Sequence, residues 1–189
     1  MTNRRPRRLH HVRGLTLVEL LLVLAISTIL LGASLPALGE FVRNYRLRLA
    51  AADFLGAVEL ARNAAIAHGG KVLLAPSADS MDWADGWTVF IDRNGNRRPD
   101  AGDQVLMRHP PIHAGIAVDM SFGGQQGPPY LAYNSAGRGC AHGNSLAPRF
   151  GTVSLRLGQR VRRIKINMLG RARLCDPATK GSQCDGPED

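Results

Sequence analysis

The chain has 189 residues, with 24 Lys+Arg against 15 Asp+Glu and a formal net charge of +9. That length suits one ordinary domain and excludes a large multidomain enzyme. A hydrophobic content of 44% excludes wholesale disorder, three cysteines are too few for a disulfide-built mini-protein, and 5% aromatics leave little for a site made by base stacking.

Residues 1–14 carry Arg4, Arg5, Arg7, Arg8 and Arg13 and no acid. They read as a basic leader that holds the N-terminus on the cytoplasmic side of a membrane. From Leu15 to Leu38 the only charge is Glu19. As a helix this run is about 36 Å long, enough for a hydrocarbon core of about 30 Å. It is too long for an ordinary secretory signal. A carboxylate inside such a run is costly and calls for a partner. Pro36 removes a backbone donor and should kink the helix.

Beyond the apolar run, Leu47, Ala51, Phe54, Val58, Ala61 and Ala65 recur at three- and four-residue spacing. That stripe predicts an amphipathic helix running to about His68, stopped by Gly69-Gly70. Residues 15–41 are therefore expected to form a membrane or filament-core helix, and 42–175 a globular head.

The head reads as antiparallel β. Strands are predicted at 71–75, 87–91, 104–108, 116–120, 130–133 and 151–157, then 160–168 and 171–175. In the 160–168 strand Ile164, Ile166 and Met168 should face in, and Arg163, Lys165 and Asn167 out. Asp92, Asn94, Asn96 and Asp103 mimic the spacing of a calcium loop, but Arg97 stands where that loop needs glycine. An Asn-Gly hairpin turn accounts for the segment. Residues 176–189 are rich in Pro, Gly, Ser and Asp and predict a flexible tail. The whole is an α+β chain, a long N-terminal helix on an antiparallel sheet, with no internal repeats.

The acids avoid one region. Between Met120 and Cys175 there is no Asp or Glu and there are nine bases, which predicts a strongly positive surface. Arginine outnumbers lysine 21 to 3, a ratio that GC-rich codon usage explains by itself. Within the region Arg160, Arg162, Arg163 and Lys165 form a basic stripe, joined by Arg171 and Arg173 if their strands pair. Arginine forks bind phosphate bidentately and need no base identity. Cys140 and Cys175 flank this hairpin, and a bridge between them is the expected disulfide. Cys175 with Cys184 is the other simple closure. The histidines are scattered, and no HExxH, CxxC, GxSxG, P-loop or GxGxxG pattern occurs. Neither an enzyme nor a cofactor or metal site is expected.

The junction Arg13-Gly14-Leu15-Thr16-Leu17-Val18-Glu19 resembles the processing site of type IV prepilins, with Leu15 where that family usually has phenylalanine. The Asp85-Gly86-Trp87 strand with its Asp-rich hairpin is similar to the GspH/FimT family of minor pilins and pseudopilins. Gly170-Arg171-Ala172-Arg173 is similar to the Gly-Arg-x-Arg motif of FimT-type pilins. The resemblance implies the type IV pilin fold and cleavage by prepilin peptidase between Gly14 and Leu15, with N-methylation of Leu15. Glu19 would pair with the N-terminal amine of a neighbouring pilin. The protein would be a single-pass inner-membrane protein with a periplasmic head, entering a filament with other major and minor pilins. In FimT-type pilins the Gly-Arg-x-Arg motif serves the binding of double-stranded DNA in natural transformation. A GspH-like pseudopilin of type II secretion and a purely structural pilus-priming subunit are the alternatives.

Overall fold

The structure is a computed structural model that describes residues 14, 16–77, 81–122, 129–180 and 184, without the side chains of 33–37 and 180. The chain divides into two compact units, 1–41 and 42–189.

Helix α1 spans Leu17–His68. It begins where Thr16 caps it: the Thr16 hydroxyl accepts from the Glu19 backbone N–H (3.2 Å), satisfying one orphan donor of the first turn. The carboxylate of Glu19 lies in that turn, where the helix dipole favours it. In the first unit the large apolar side chains of α1 are exposed, Leu17 by 75%. Among the described residues no helix is long and apolar enough to cross a membrane. Part of the expected span, Leu15 and the side chains of 33–37, lies outside those residues. The helix runs through Pro36 without a break.

In the second unit every residue of the predicted stripe, from Leu47 to Ala65, is fully buried. Around it stand β1 (Val72–Pro76), β2 (Trp87–Ile91), β3 (Gln104–His109), β4 (Ala117–Phe122), β5 (Leu131–Tyr133), β6 (Gly151–Leu157), β7 (Arg160–Ile166) and β8 (Ala172–Cys175). A short helix α2 (Pro177–Lys180) follows. The strands make two four-stranded antiparallel sheets, ordered β3-β2-β1-β5 and β4-β6-β7-β8, where the sequence suggested a single sheet.

Both sheets contribute to one core with α1: Val72, Leu74, Trp87 and Tyr133 from the first, Val153, Leu155, Ile164 and Ile166 from the second. Phe54 of α1 sits edge-on to Trp83 and Trp87, with ring centroids 5.3 and 5.0 Å away. The uninterrupted apolar run of β1 is explained by burial on both faces. Its outer side, with Leu73, Phe90 and Tyr130, is covered by the segment after β5, which includes Cys140.

The disulfide differs from the expectation. Cys175 bonds Cys184, with Cα atoms 5.8 Å apart, and Cys140 is a buried free thiol. The reason is sheet membership: Cys140 belongs to the outer cluster of the first sheet, whereas Cys175 ends β8 of the second. Burial pushes the Cys140 thiol up, against the opposite pull of Lys71 and Arg149. The segment after Cys175 is tied down at several points rather than loose. Asp176 pairs with Arg162, α2 follows, and Cys184 is buried. Residues 181–183 and 185–189 lie outside the described set.

Candidate nucleic-acid interface

Strand pairing distributes the basic residues. In β7, Leu155 faces Arg162 and Val153 faces Ile164, so Arg160 and Arg162 share the core-side face with Ile164 and Ile166. Arg163 and Lys165 take the other face, where Lys165 pairs with Arg173 of β8. The expected stripe is therefore split between two faces.

Arg162 is not a surface residue. It is 6% exposed, and its guanidinium donates to Asn44 Oδ1 on α1 (2.9 Å) and to Asp176 Oδ1 (2.8 Å). Burial pushes it below the ordinary arginine value; Asp176 opposes this, while Arg48 and Arg160 act with the burial. Lys165 is 3% exposed and equally withdrawn. Arg163 is half-buried and donates to the Cys184 carbonyl oxygen (3.5 Å). Outside the stripe, Arg149 is buried too, its guanidinium 4.4 Å from the centre of the Tyr130 ring. Arg156 is exposed and bonded to Asp119 (3.0 Å). The acid-free region thus spends part of its charge inside the fold.

Arg160, Arg171 and Arg173 remain exposed. Arg171 stands just before β8 and Arg173 within it, and β8 is an edge strand. The register places Arg171 opposite position 167 of the β7 chain, seven residues from Arg160, or roughly 23 Å along the strand. The structure brings Arg171 and Arg173 together and sets Arg160 apart.

A tight turn presents Arg171. Asn167 Oδ1 accepts from the N–H groups of Leu169 (3.1 Å) and Arg171 (2.9 Å), and the Gly170 N–H donates to the Asn167 carbonyl (2.9 Å). Gly170 has φ +77°, and a Cβ there would lie 2.2 Å from the Gly137 carbonyl oxygen and 3.1 Å from the Cα of Arg138. Glycine is needed for both the conformation and the close approach. The turn also leaves Met168 half exposed at its tip, where the alternation predicted an inward side chain. The Arg171 guanidinium has no hydrogen-bond or ion-pair partner among the described residues.

The Asp92 segment is the β2–β3 loop, and its acceptors are already occupied. Asp92 accepts from the N–H groups of Gly95 and Arg97 and contacts His142 Nε2 (3.0 Å). Asp100 accepts from Gly102 N–H, Asn94 and Asn96, which together hold its carboxyl below the ordinary range. Among the described residues no group of three or more His, Cys, Asp or Glu is placed to hold a metal ion. Gly14 is exposed, and Leu15 lies outside the described residues.

A helix whose apolar stripe is buried under antiparallel strands, with a basic edge turn and a methylation-type N-terminus, defines a pilin-like subunit. The comparisons with known proteins agree. The family model described as type II transport protein GspH matches residues 50–170, and the prokaryotic N-terminal methylation motif matches residues 9–35. The chain is 34% identical over 164 residues to the pilin-like protein PilA1 of Thermus thermophilus, covering 86% of this chain and 97% of that one. The type IV minor pilin FimU of Pseudomonas aeruginosa superposes with TM-score 0.57 at 17% identity, over 73% of this chain and 94% of that one. A second crystal form of FimU gives TM-score 0.54 at 15% identity, over 69% and 94%. The chain belongs to the GspH family and has the α+β pilin fold. Its relatives are structural pilin subunits and not enzymes.

Proposed function

We propose that the chain is a FimT-like minor pilin that binds extracellular double-stranded DNA without sequence preference, for uptake. The observation that carries this reading is the exposed Arg171 on the Gly170 turn, whose guanidinium has no partner among the described residues, beside exposed Arg173. Exposed guanidinium groups in and just before an edge strand can meet phosphates, and such binding is driven by counterion release. Arg160 lies apart from this pair, and Arg162, Arg163 and Lys165 leave the interface proposed from sequence.

The rest of the reading concerns the filament. Prepilin peptidase cuts between Gly14 and Leu15 and Leu15 is N-methylated, which the methylation-motif match supports. The chain is held in the inner membrane by residues 15–41 until it joins other major and minor pilins. Glu19, exposed in the first turn of α1, meets the N-terminal amine of a neighbour. In a low-dielectric filament core that pair sets register, because either charge alone is unfavourable. The family description also favours a second reading, a minor pseudopilin of type II secretion.

The test is binding of the full chain, purified in detergent, to duplex DNA at several salt concentrations. Arg171→Gln with Arg173→Gln should weaken binding and flatten the plot of log K against log salt by about one to two units. No binding by the wild type at low salt rejects the DNA reading and leaves the secretion reading. For assembly, Glu19→Ala should be cleaved normally and fail to enter filaments; normal incorporation rejects the registry role.

A further inference from the structure

Arg171 is not alone in its geometry. Residues 134–138 read Asn-Ser-Ala-Gly-Arg and residues 167–171 read Asn-Met-Leu-Gly-Arg. The two segments fold alike. In the first, Asn134 Oδ1 accepts from the N–H groups of Ala136 (3.1 Å) and Arg138 (3.1 Å). The Gly137 N–H donates to the Asn134 carbonyl (2.8 Å), and the Asn134 N–H donates to the Arg138 carbonyl (3.0 Å). Each of these bonds has its counterpart at Asn167, Leu169, Gly170 and Arg171. The two glycines have similar left-handed φ values, +69° at Gly137 and +77° at Gly170.

The turns also touch. Gly170 packs so closely on the Gly137 carbonyl and the Arg138 Cα that no side chain fits between them. The same carbonyl accepts from Arg62 Nε of α1 (3.0 Å), which anchors the first turn to the helix. Arg138, like Arg171, is exposed, and its guanidinium has no hydrogen-bond or ion-pair partner among the described residues. The pairing is invisible in a linear reading, because 33 positions separate the two arginines and neither lies within a strand.

We infer that Arg138 and Arg171, carried on two copies of one Asn-x-x-Gly-Arg turn packed against each other, form a two-pronged clamp on the phosphate backbone of duplex DNA. This rests on the DNA reading above and adds a residue to it that lies outside the Gly-Arg-x-Arg segment. Two guanidinium groups held on adjoining rigid turns, with no acid paired to either among the described residues, repel each other, and an anion bound to both relieves that repulsion. The glycine and Asx hydrogen bonds fix both backbones, so little order is lost when phosphate binds. Neither turn contains an aromatic residue, so the clamp grips backbone and does not stack bases.

The experiment is a salt titration of duplex DNA binding by the full chain in detergent, comparing wild type with Arg138→Gln, Arg171→Gln, the double variant and Arg156→Gln. Arg156 is an exposed arginine bonded to Asp119, so its variant controls for net charge alone. Arg138→Gln should lower affinity about fivefold to tenfold and reduce the salt slope by about one, as Arg171→Gln does, and the double variant by about two. Arg156→Gln should leave the slope unchanged. The Asn134 bonds go to backbone N–H groups, so Arg138→Gln should keep the wild-type melting temperature. If Arg171→Gln weakens binding and Arg138→Gln does not, the clamp is wrong while the DNA reading stands. If Arg156→Gln matches Arg138→Gln, the effect is bulk charge and the clamp is again wrong. If the wild type binds no DNA, or binds anionic lipid vesicles instead, the clamp and the DNA reading fall together.

Discussion

Replacing Arg162 by Gln separates an arginine that holds the fold from one that serves the surface. Its guanidinium donates to Asn44, to the Val161 carbonyl (3.0 Å) and to Asp176, and only 7% of the side chain is exposed. Removing one member of a fully buried ion pair costs about 3–5 kcal/mol. Asp176 keeps 24% of its side-chain exposure and can rehydrate once its partner is gone. The cost should then resemble the loss of a charged hydrogen bond, about 2–3 kcal/mol. For a chain of this size that lowers the melting temperature by about 5–10 °C. The assay is thermal unfolding followed by near-ultraviolet circular dichroism, with the DNA salt titration run on the same variant. A lower melting temperature with an unchanged salt slope is the expected pair of results. An unchanged melting temperature with a slope reduced by about one would refute the reasoning, since it would mean that Arg162 faces solvent and meets phosphate.

Five further outcomes follow from the same structure. Peptide mapping under non-reducing conditions should recover Cys175 linked to Cys184, with Cys140 as a thiol that alkylates slowly until denaturant is added; a Cys140–Cys175 peptide would contradict the fold at β8. Cys184→Ser should cost about 2.5 kcal/mol by loop-closure entropy, measured by urea unfolding. Gly170→Ala should destabilise by more than about 1 kcal/mol and weaken DNA binding, because the new methyl meets the Gly137 carbonyl in a left-handed backbone; wild-type stability would show that the turns do not pack as described. Phe54→Ala, which removes the ring packed edge-on against Trp83 and Trp87, should cost about 3–5 kcal/mol. Asp100 should titrate below its ordinary 3.8 in a carboxyl NMR series, because three hydrogen bonds favour its charged form. Its contribution to loop order is then present above that ordinary value and lost as the pH falls through the lowered one. Titration at or above 3.8 would remove that contribution.

Most strand positions were legible because they rest on local signals. The alternation of Val153, Leu155 and Leu157 with polar neighbours specifies a strand and its inward face without reference to anything distant. The stripe from Leu47 to Ala65 does the same for the helix. Charge was harder to read. A lysine or arginine counts as surface in a linear reading, yet Lys165, at an outward position, is covered, and Arg162, on the core-side face, is held by Asp176 and Asn44.

Local pattern by itself therefore determined the long helix and the positions of the strands described above, because residue spacing acts over a few residues. Only the tertiary structure decided that the strands divide into two sheets, and with that which cysteines meet. It alone decided which arginines reach solvent and which join ion pairs within the fold. It alone set Arg138 beside Arg171. Each of these depends on distances between segments remote along the chain, and such distances follow from how the sheets pack on α1 rather than from the residues on either side.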